Sequence, residues 1–129
     1  MCTASLDERI KVAIMCAFFM DRFHKVTISS PHYTSWFLPH EEHLWIPGWF
    51  KGGFTDSNVL SLICPRALQI QEGKADKCGW WPLQESEYQK ICRHYVKLGI
   101  KEKIEFVCHN GGHEIVVEPG MRFLERTLV

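Results

Sequence analysis

The chain has 129 residues, of which 46% are hydrophobic and 23% charged, ordinary proportions for a globular domain that can bury a core. Fifteen Lys and Arg residues balance fifteen Asp and Glu residues, which argues against a nucleic-acid partner or an anionic membrane surface and favours a small uncharged ligand. The six cysteines are widely spaced without a C-x-x-C pair, which argues against a disulfide or zinc framework and favours a reducing, cytoplasmic setting.

The first predicted elements are the end of a helix and its turn at about residues 5–10 and a strand over residues 11–18. The strand is apolar on both faces, which is typical of a parallel strand covered by helices. The apolar run from Val12 to Met20 is too short to span a bilayer and has no cleavage pattern, so we interpret it as a buried strand.

Residues 20–54 form an aromatic-rich segment broken by proline and glycine, which we interpret as a cap or loop insertion over a pocket. Trp45 and Trp49 in this segment, together with Trp80 later in the chain, are predicted apolar walls of that pocket, with simple packing as the alternative. His40 and His43 in H-E-E-H would need a helix and a third ligand to bind metal, and a solvated or pocket-rim role is the simpler interpretation.

The second half of the chain alternates helices and strands in the pattern of a parallel α/β sheet. Two apolar strands separate three predicted helices. The first helix is ended by Pro65, the second is ended by Gly99, and the third is the final helix. The predicted elements are helix 59–63, strand 67–71, helix 83–98, strand 104–108 and helix 120–128.

Asp76 and His113 each follow one of these strands across a glycine-containing turn. They are 37 residues apart, one helical crossover, so adjacent parallel strands would place them side by side at the edge of the sheet where ligands bind. A carboxylate there would orient the imidazole and stabilise the imidazolium. The alternative is a solvated turn residue for Asp76 and a surface loop for His113. Gly111 and Gly112 are expected to permit the tight turn that aims His113.

Three segments resemble α/β-hydrolases of the dienelactone hydrolase and acetyl xylan esterase type. I-C-P-R-A-L-Q-I-Q-E-G-K-A-D (63–76) is similar to the strand that ends in the triad acid, and H-N-G-G-H-E (109–114) to the loop that carries the triad histidine. L-D-E-R-I-K-V-A-I (6–14) is similar to the segment after the nucleophile helix. The resemblance implies the C-terminal half of an α/β-hydrolase fold, with Asp76 as the acid and His113 as the base of a triad in the order nucleophile, acid, histidine.

No nucleophile motif accompanies them, because the 129 residues contain neither G-x-S-x-G nor a cysteine version of it. Cys78, two residues after Asp76, is a conceivable substitute, although a loop cysteine is more often inert. We therefore interpret the chain as the acid and base part of a serine-type carboxylic ester hydrolase without a cofactor, acting on a small-molecule ester once a nucleophile is supplied. The alternative is an inactive, truncated hydrolase-like domain with a structural or interaction role. Because the first strand lacks a neighbour, we expect its open edge to pair in a homo-oligomer.

Overall fold

The protein is built on a three-stranded parallel sheet, seen in a computed structural model that describes residues 1–33 and 52–128. The strands are β1 (Val12–Cys16), β2 (Ala67–Gly73) and β3 (Ile104–His109), in the spatial order β1-β2-β3. This arrangement confirms the predicted α/β class and its parallel sheet. Trp45 and Trp49, with most of the predicted cap, lie outside the described residues.

Strand β2 lies between its two neighbours and sets their register. Val12 of β1 is paired with Ala67, and Gly73 of β2 is paired with His109 of β3. The carboxyl ends of β2 and β3 therefore finish side by side. Strand β1 ends earlier than predicted, because Ala17 adopts a φ of 58°, in the left-handed region that interrupts extended backbone.

Helices follow the strands and cover both faces of the sheet. Two short helices near the amino terminus are α1 (Cys2–Leu6) and α2 (Arg22–Thr27). The others are α3 (Asp56–Ser61), α4 (Trp81–Lys97) and α5 (Val117–Thr127). The described helices lack the combination of length and continuous hydrophobicity that is needed to traverse a lipid bilayer.

Helix α4 begins two residues earlier than predicted and ends one residue earlier. Pro82 lies in its first turn, where a missing N–H costs nothing and a φ near that of a helix is favourable. Gly99 follows its end with a φ of 70°, the left-handed conformation that ends many helices. For the same reason Pro119 is tolerated in the first turn of α5, which therefore begins at Val117 and not at Gly120 as expected.

The two faces of β2 differ in chemistry. Leu68 and Ile70 lie on the face covered by α3 and α4 and are fully buried with Leu60, Ile91 and Tyr95. On the opposite face, Gln69 and Gln71 point towards α5 and are also fully buried. Apolar burial therefore drives packing on one side, whereas hydrogen bonding organises the other.

A buried ion pair connects α2 to α3. The guanidinium of Arg22 donates to Asp56 Oδ1 at 2.7 Å, and both side chains are almost completely shielded from solvent. Asp56 Oδ2 also accepts from the backbone N–H of Met20. Burial raises the pKa of Asp56 to about 6, against the lowering effect of Arg22.

Candidate functional site

Asp76 and His113 form a hydrogen-bonded pair at the carboxyl ends of β2 and β3. His113 Nδ1 lies 3.0 Å from Asp76 Oδ2. The expected approach of the two turns is therefore present, within the distance at which a carboxylate orients an imidazole. The Asp76 side chain is 1% exposed, whereas that of His113 is 54% exposed. The pair thus has a buried acid and an imidazole that solvent or a ligand can reach.

Asp76 is held by its own turn. Its other carboxylate oxygen, Oδ1, accepts the backbone N–H of Cys78 at 2.7 Å, while its own N–H donates to the carbonyl of Gly73. This is the local turn that aspartate favours, with the side chain bonded two residues ahead. One oxygen is therefore fixed by the backbone, and Oδ2 remains directed at His113.

The loop that carries His113 continues the pairing between β2 and β3. Lys74 donates its N–H to the carbonyl of His109, and Ala75 donates to that of Gly111. Gly73 permits this approach, since an added Cβ would lie 2.5 Å from the Gly111 carbonyl oxygen and closer still to that of Gly112. The two turns are thus joined through the backbone as well as through the side chains.

The expected role of Gly112 needs correction. Neither Gly111 nor Gly112 has the left-handed φ seen at Gly53 and Gly99, and a Cβ built on Gly112 meets no atom within 4 Å. A Cβ on Gly111 would overlap the side chain of Glu114 and lie 3.0 Å from His109 Nδ1, so the prediction fits Gly111 and is wrong for Gly112. A further close approach, which the sequence did not reveal, lies at Gly73 against the backbone of the histidine loop.

Gln71 anchors the other end of the histidine loop, a role that sequence reasoning missed. Its Nε2 donates to the carbonyl of Val116 and its Oε1 accepts the N–H of the same residue, each at 3.0 Å. Gln69 bonds to Gln71 and to the carbonyl of Pro119. A polar side chain in a strand that is buried on both faces needs hydrogen-bond partners. The glutamines of this strand were therefore the signal in the sequence that could have indicated this role.

Glu72 is a fully buried carboxyl group directly before this site. Gln84 Nε2 donates to its Oε2 at 2.7 Å, and its Oε1 has no hydrogen-bond partner among the described residues. Burial, and secondarily the charge of Asp76, raises the pKa of Glu72 to about 9. The group is therefore protonated at neutral pH and places no second negative charge beside Asp76.

The thiol of Cys78 completes a three-residue cluster. One ligand-type atom from each of Asp76, Cys78 and His113 lies within 4.8 Å of the corresponding atoms of the other two. Lys25 Nζ donates to the Cys78 carbonyl at 2.5 Å and so connects this turn to α2. The cysteine is not in a disulfide. Sequence spacing alone indicates Cys78 only as a conceivable nucleophile.

Two of the remaining histidines have partners that the sequence did not reveal. His32 stacks on Trp80 with ring centroids 4.3 Å apart and planes 6° from parallel. His109 Nδ1 accepts the backbone N–H of Gly111, so His109 shapes the loop that carries His113. Trp80 is the one predicted pocket wall within the described residues; it makes this ring contact and also borders a small cavity.

Three cavities in the described ranges lie away from the Asp76–His113 pair. Trp80 borders a small cavity of about 20 Å³ between α2 and the start of α4, which is enough for an ordered water molecule. Two larger clefts, of about 660 and 570 Å³, lie at the amino ends of the strands, beside Lys11 and Arg66. They are at the opposite edge of the sheet from the pair.

No family model matches the sequence, and no curated protein matches it. Among solved structures, the chain is similar to a carbohydrate esterase family 15 (CE15) glucuronoyl esterase from Caldicellulosiruptor kristjansonii, with a TM-score of 0.49 and 24% identity over 56% of this chain. The chain spans 19% of the length of that esterase chain. This similarity is too weak to support a functional assignment. The α/β class rests on the observed sheet, and the functional assignment rests on the geometry of the Asp76–His113 pair.

Proposed function

We propose that this chain supplies the acid and the base of a serine-type carboxylic ester hydrolase. The observation that carries the proposal is the 3.0 Å contact between His113 Nδ1 and the buried carboxylate of Asp76. The contact lies at the carboxyl ends of adjacent parallel strands, the edge at which α/β sheets bind their ligands. The order of Asp76 before His113 agrees with the triad order in the family that the sequence resembles.

In this mechanism His113 moves the proton and Asp76 orients the ring. Neutral His113 donates its Nδ1–H to Asp76 Oδ2, which leaves the Nε2 lone pair to remove the proton from a serine hydroxyl as its oxygen attacks the ester carbonyl. Asp76 stays ionised and stabilises the imidazolium. The Nε2–H then protonates the departing alcohol, and the same steps with water release the acid and restore the serine.

The nucleophile and the oxyanion donors are outside these 129 residues in this proposal. Of the serines in the described ranges, Ser57 is bonded to Glu87 in the core and Ser5 is buried in α1. The substrate is a small uncharged ester, and no cofactor takes part. Trp45, Trp49 and Trp80 are proposed pocket walls, and a cytoplasmic setting and a homo-oligomer are proposed with them.

The second candidate is a non-catalytic domain that associates through its sheet. The observation that favours it is the position of β1 at the edge of the three-stranded sheet, with β2 as its partner in the described ranges. An unpaired edge of apolar residues is a template for association with another chain. The absence of a nucleophile motif agrees with such a role.

The proposal is tested by supplying the nucleophile. The isolated chain should hydrolyse p-nitrophenyl acetate no faster than its His113→Ala variant. Mixed with the product of the adjoining upstream reading frame, if that frame encodes G-x-S-x-G, it should show saturable turnover and labelling of that serine by a fluorophosphonate. His113→Ala should abolish both, whereas His94→Ala, on the exposed face of α4, should change neither.

The two candidates give different results in this experiment. Reconstituted turnover that depends on His113 supports the hydrolase. Full turnover in the His113→Ala mixture contradicts the assigned base. A stable complex with no turnover and no labelling supports the association role instead.

A further inference from the structure

We propose that Asp76, Cys78 and His113 form a binding site for a thiophilic divalent cation of the Zn²⁺ class. The three side chains offer one oxygen, one sulfur and one nitrogen, and the three donor atoms lie within 4.8 Å of one another. Zinc takes this donor set, and a site with three protein ligands leaves a fourth position for water or a small ligand. Binding of the ion does not depend on the proposed hydrolase activity, because it requires no nucleophile.

The geometry is close to that of a coordinated ion. Tetrahedral coordination with bonds of about 2.0 to 2.3 Å separates ligand atoms by roughly 3.3 to 3.6 Å. Asp76 Oδ2 and His113 Nδ1 are 3.0 Å apart, so this edge of the tetrahedron is nearly formed. The thiol lies within 4.8 Å of the other two donor atoms, so it has to approach by no more than about 1 Å, and Cys78 is part-exposed and His113 exposed.

The hydrogen bonds around Asp76, the buried ligand, support the site. Asp76 Oδ1 is already fixed by the Cys78 N–H, as the remaining oxygen of a metal-bound carboxylate usually is. Lys25 holds the Cys78 carbonyl and so fixes the backbone of the turn. Because residues 76 and 78 share one turn, two of the three ligands are positioned by the same local structure.

Binding exchanges protons for the ion. The thiol of Cys78 releases its proton to solvent on forming the S–Zn bond, and the ring proton of neutral His113 moves from Nδ1 to Nε2 as Zn²⁺ takes its place between Nδ1 and Oδ2. His113 then carries its proton on Nε2. If the proposed function holds, the bound ion prevents His113 from accepting a proton from serine, so Zn²⁺ inhibits the reconstituted activity.

The test is a titration of the tag-free, reduced full chain with Zn²⁺ in competition with a chromogenic chelator. We expect one equivalent to bind, and Co²⁺ in its place should show the ultraviolet charge-transfer band of a thiolate ligand. Cys78→Ser, Asp76→Asn and His113→Ala should each weaken binding at least about tenfold. Cys2→Ser, at an exposed position in α1, should leave the affinity unchanged.

Two further measurements keep the test decisive. If Cys78→Ser does not fold, as judged by circular dichroism, Zn²⁺ should instead protect Cys78 of the unaltered chain from iodoacetamide, read by mass spectrometry. Unchanged affinity in Cys78→Ser, or loss of binding only in a His40→Ala/His43→Ala double variant, would overturn the site. Zinc binding without any hydrolase activity supports the site and leaves the proposed function to fail separately.

Discussion

Gly73 at the end of β2 and Gly111 in the histidine loop lie so close together that no other residue type fits at position 73 without moving backbone. A Cβ on Gly73 would lie 2.5 Å from the carbonyl oxygen of Gly111. That carbonyl accepts the N–H of Ala75 in the turn that leads to Asp76. The contact therefore determines how far apart the two candidate catalytic turns lie.

Gly73→Ala should separate Asp76 from His113. We expect it to destabilise the fold by about 1 to 3 kcal/mol, because backbone must shift to accept the methyl group. Urea denaturation measures the loss. Gly112→Ala is the matched control in the adjoining loop, where a Cβ meets open space, and it should be neutral or slightly stabilising. Equal destabilisation by the two changes would contradict the close-approach argument.

Asp76→Asn should change the tautomer of His113 while preserving the shape of the turn. The carboxylate accepts from Nδ1–H, whereas an amide can instead donate to Nδ1 and leave the proton on Nε2. Nitrogen-15 NMR of the imidazole distinguishes the two forms. In a serine protease triad the equivalent change lowers kcat about 10⁴-fold, and a reconstituted hydrolase should lose activity on that scale. An unchanged tautomer would argue against orientation by Asp76.

Glu72→Gln should flatten the dependence of stability on pH. The pKa of Glu72 is raised to about 9 in the folded protein, so the folded state keeps a proton that the unfolded state loses above its usual pKa. Stability therefore falls as pH rises to about 9, by up to about 1.4 kcal/mol per pH unit.

Denaturation between about pH 7 and pH 8 tests this contribution, since the raised pKa of Asp56, about 6, affects stability in a lower range. The thiols of Cys16, Cys64 and Cys108, whose pKa values are raised by burial, affect stability at higher pH. The Glu72→Gln variant should be more stable than the original chain near pH 8. Glu85→Gln, at an exposed position in the same region, should retain the original slope. An identical slope in all three proteins would show that Glu72 ionises freely.

Amide hydrogen exchange should reveal what covers β1. The N–H of Ala67 donates to the carbonyl of Lys11, and the N–H of Ala17 donates to the carbonyl of Gln71. The odd-numbered residues of β1 therefore form its hydrogen bonds to β2. The N–H groups of Val12, Ile14 and Cys16 therefore point away from β2. If a second copy pairs with this edge, these three amides should be protected and their protection should increase with protein concentration.

Sedimentation equilibrium at tens of micromolar provides the partner measurement and should show a dimer. A monomer whose three outward amides exchange rapidly would contradict edge pairing. A monomer with protected amides would show instead that the chain covers its own edge.

The linear sequence determined the local elements of this protein. Apolar runs of strand length, Pro82 and Gly99 at the ends of α4, and the alternation of elements were sufficient to predict three parallel strands with helices between them, because these features act within a few residues. The positions of Asp76 and His113 after two strands also predicted their approach. The errors concerned boundaries, where Ala17 and the prolines in first helical turns shifted the ends, and Gly112, where no close approach requires a glycine.

Only the tertiary structure decided the register and what surrounds the pair. Pairing of Gly73 with His109 brings the two turns into contact, and that pairing depends on how the whole sheet packs. Burial of Glu72, the clamp of Gln71 on Val116 and the approach of Cys78 to His113 join residues far apart in sequence. Composition and periodicity report which face of an element is buried, and they contain no information about which polar groups then meet, because that depends on distances between elements.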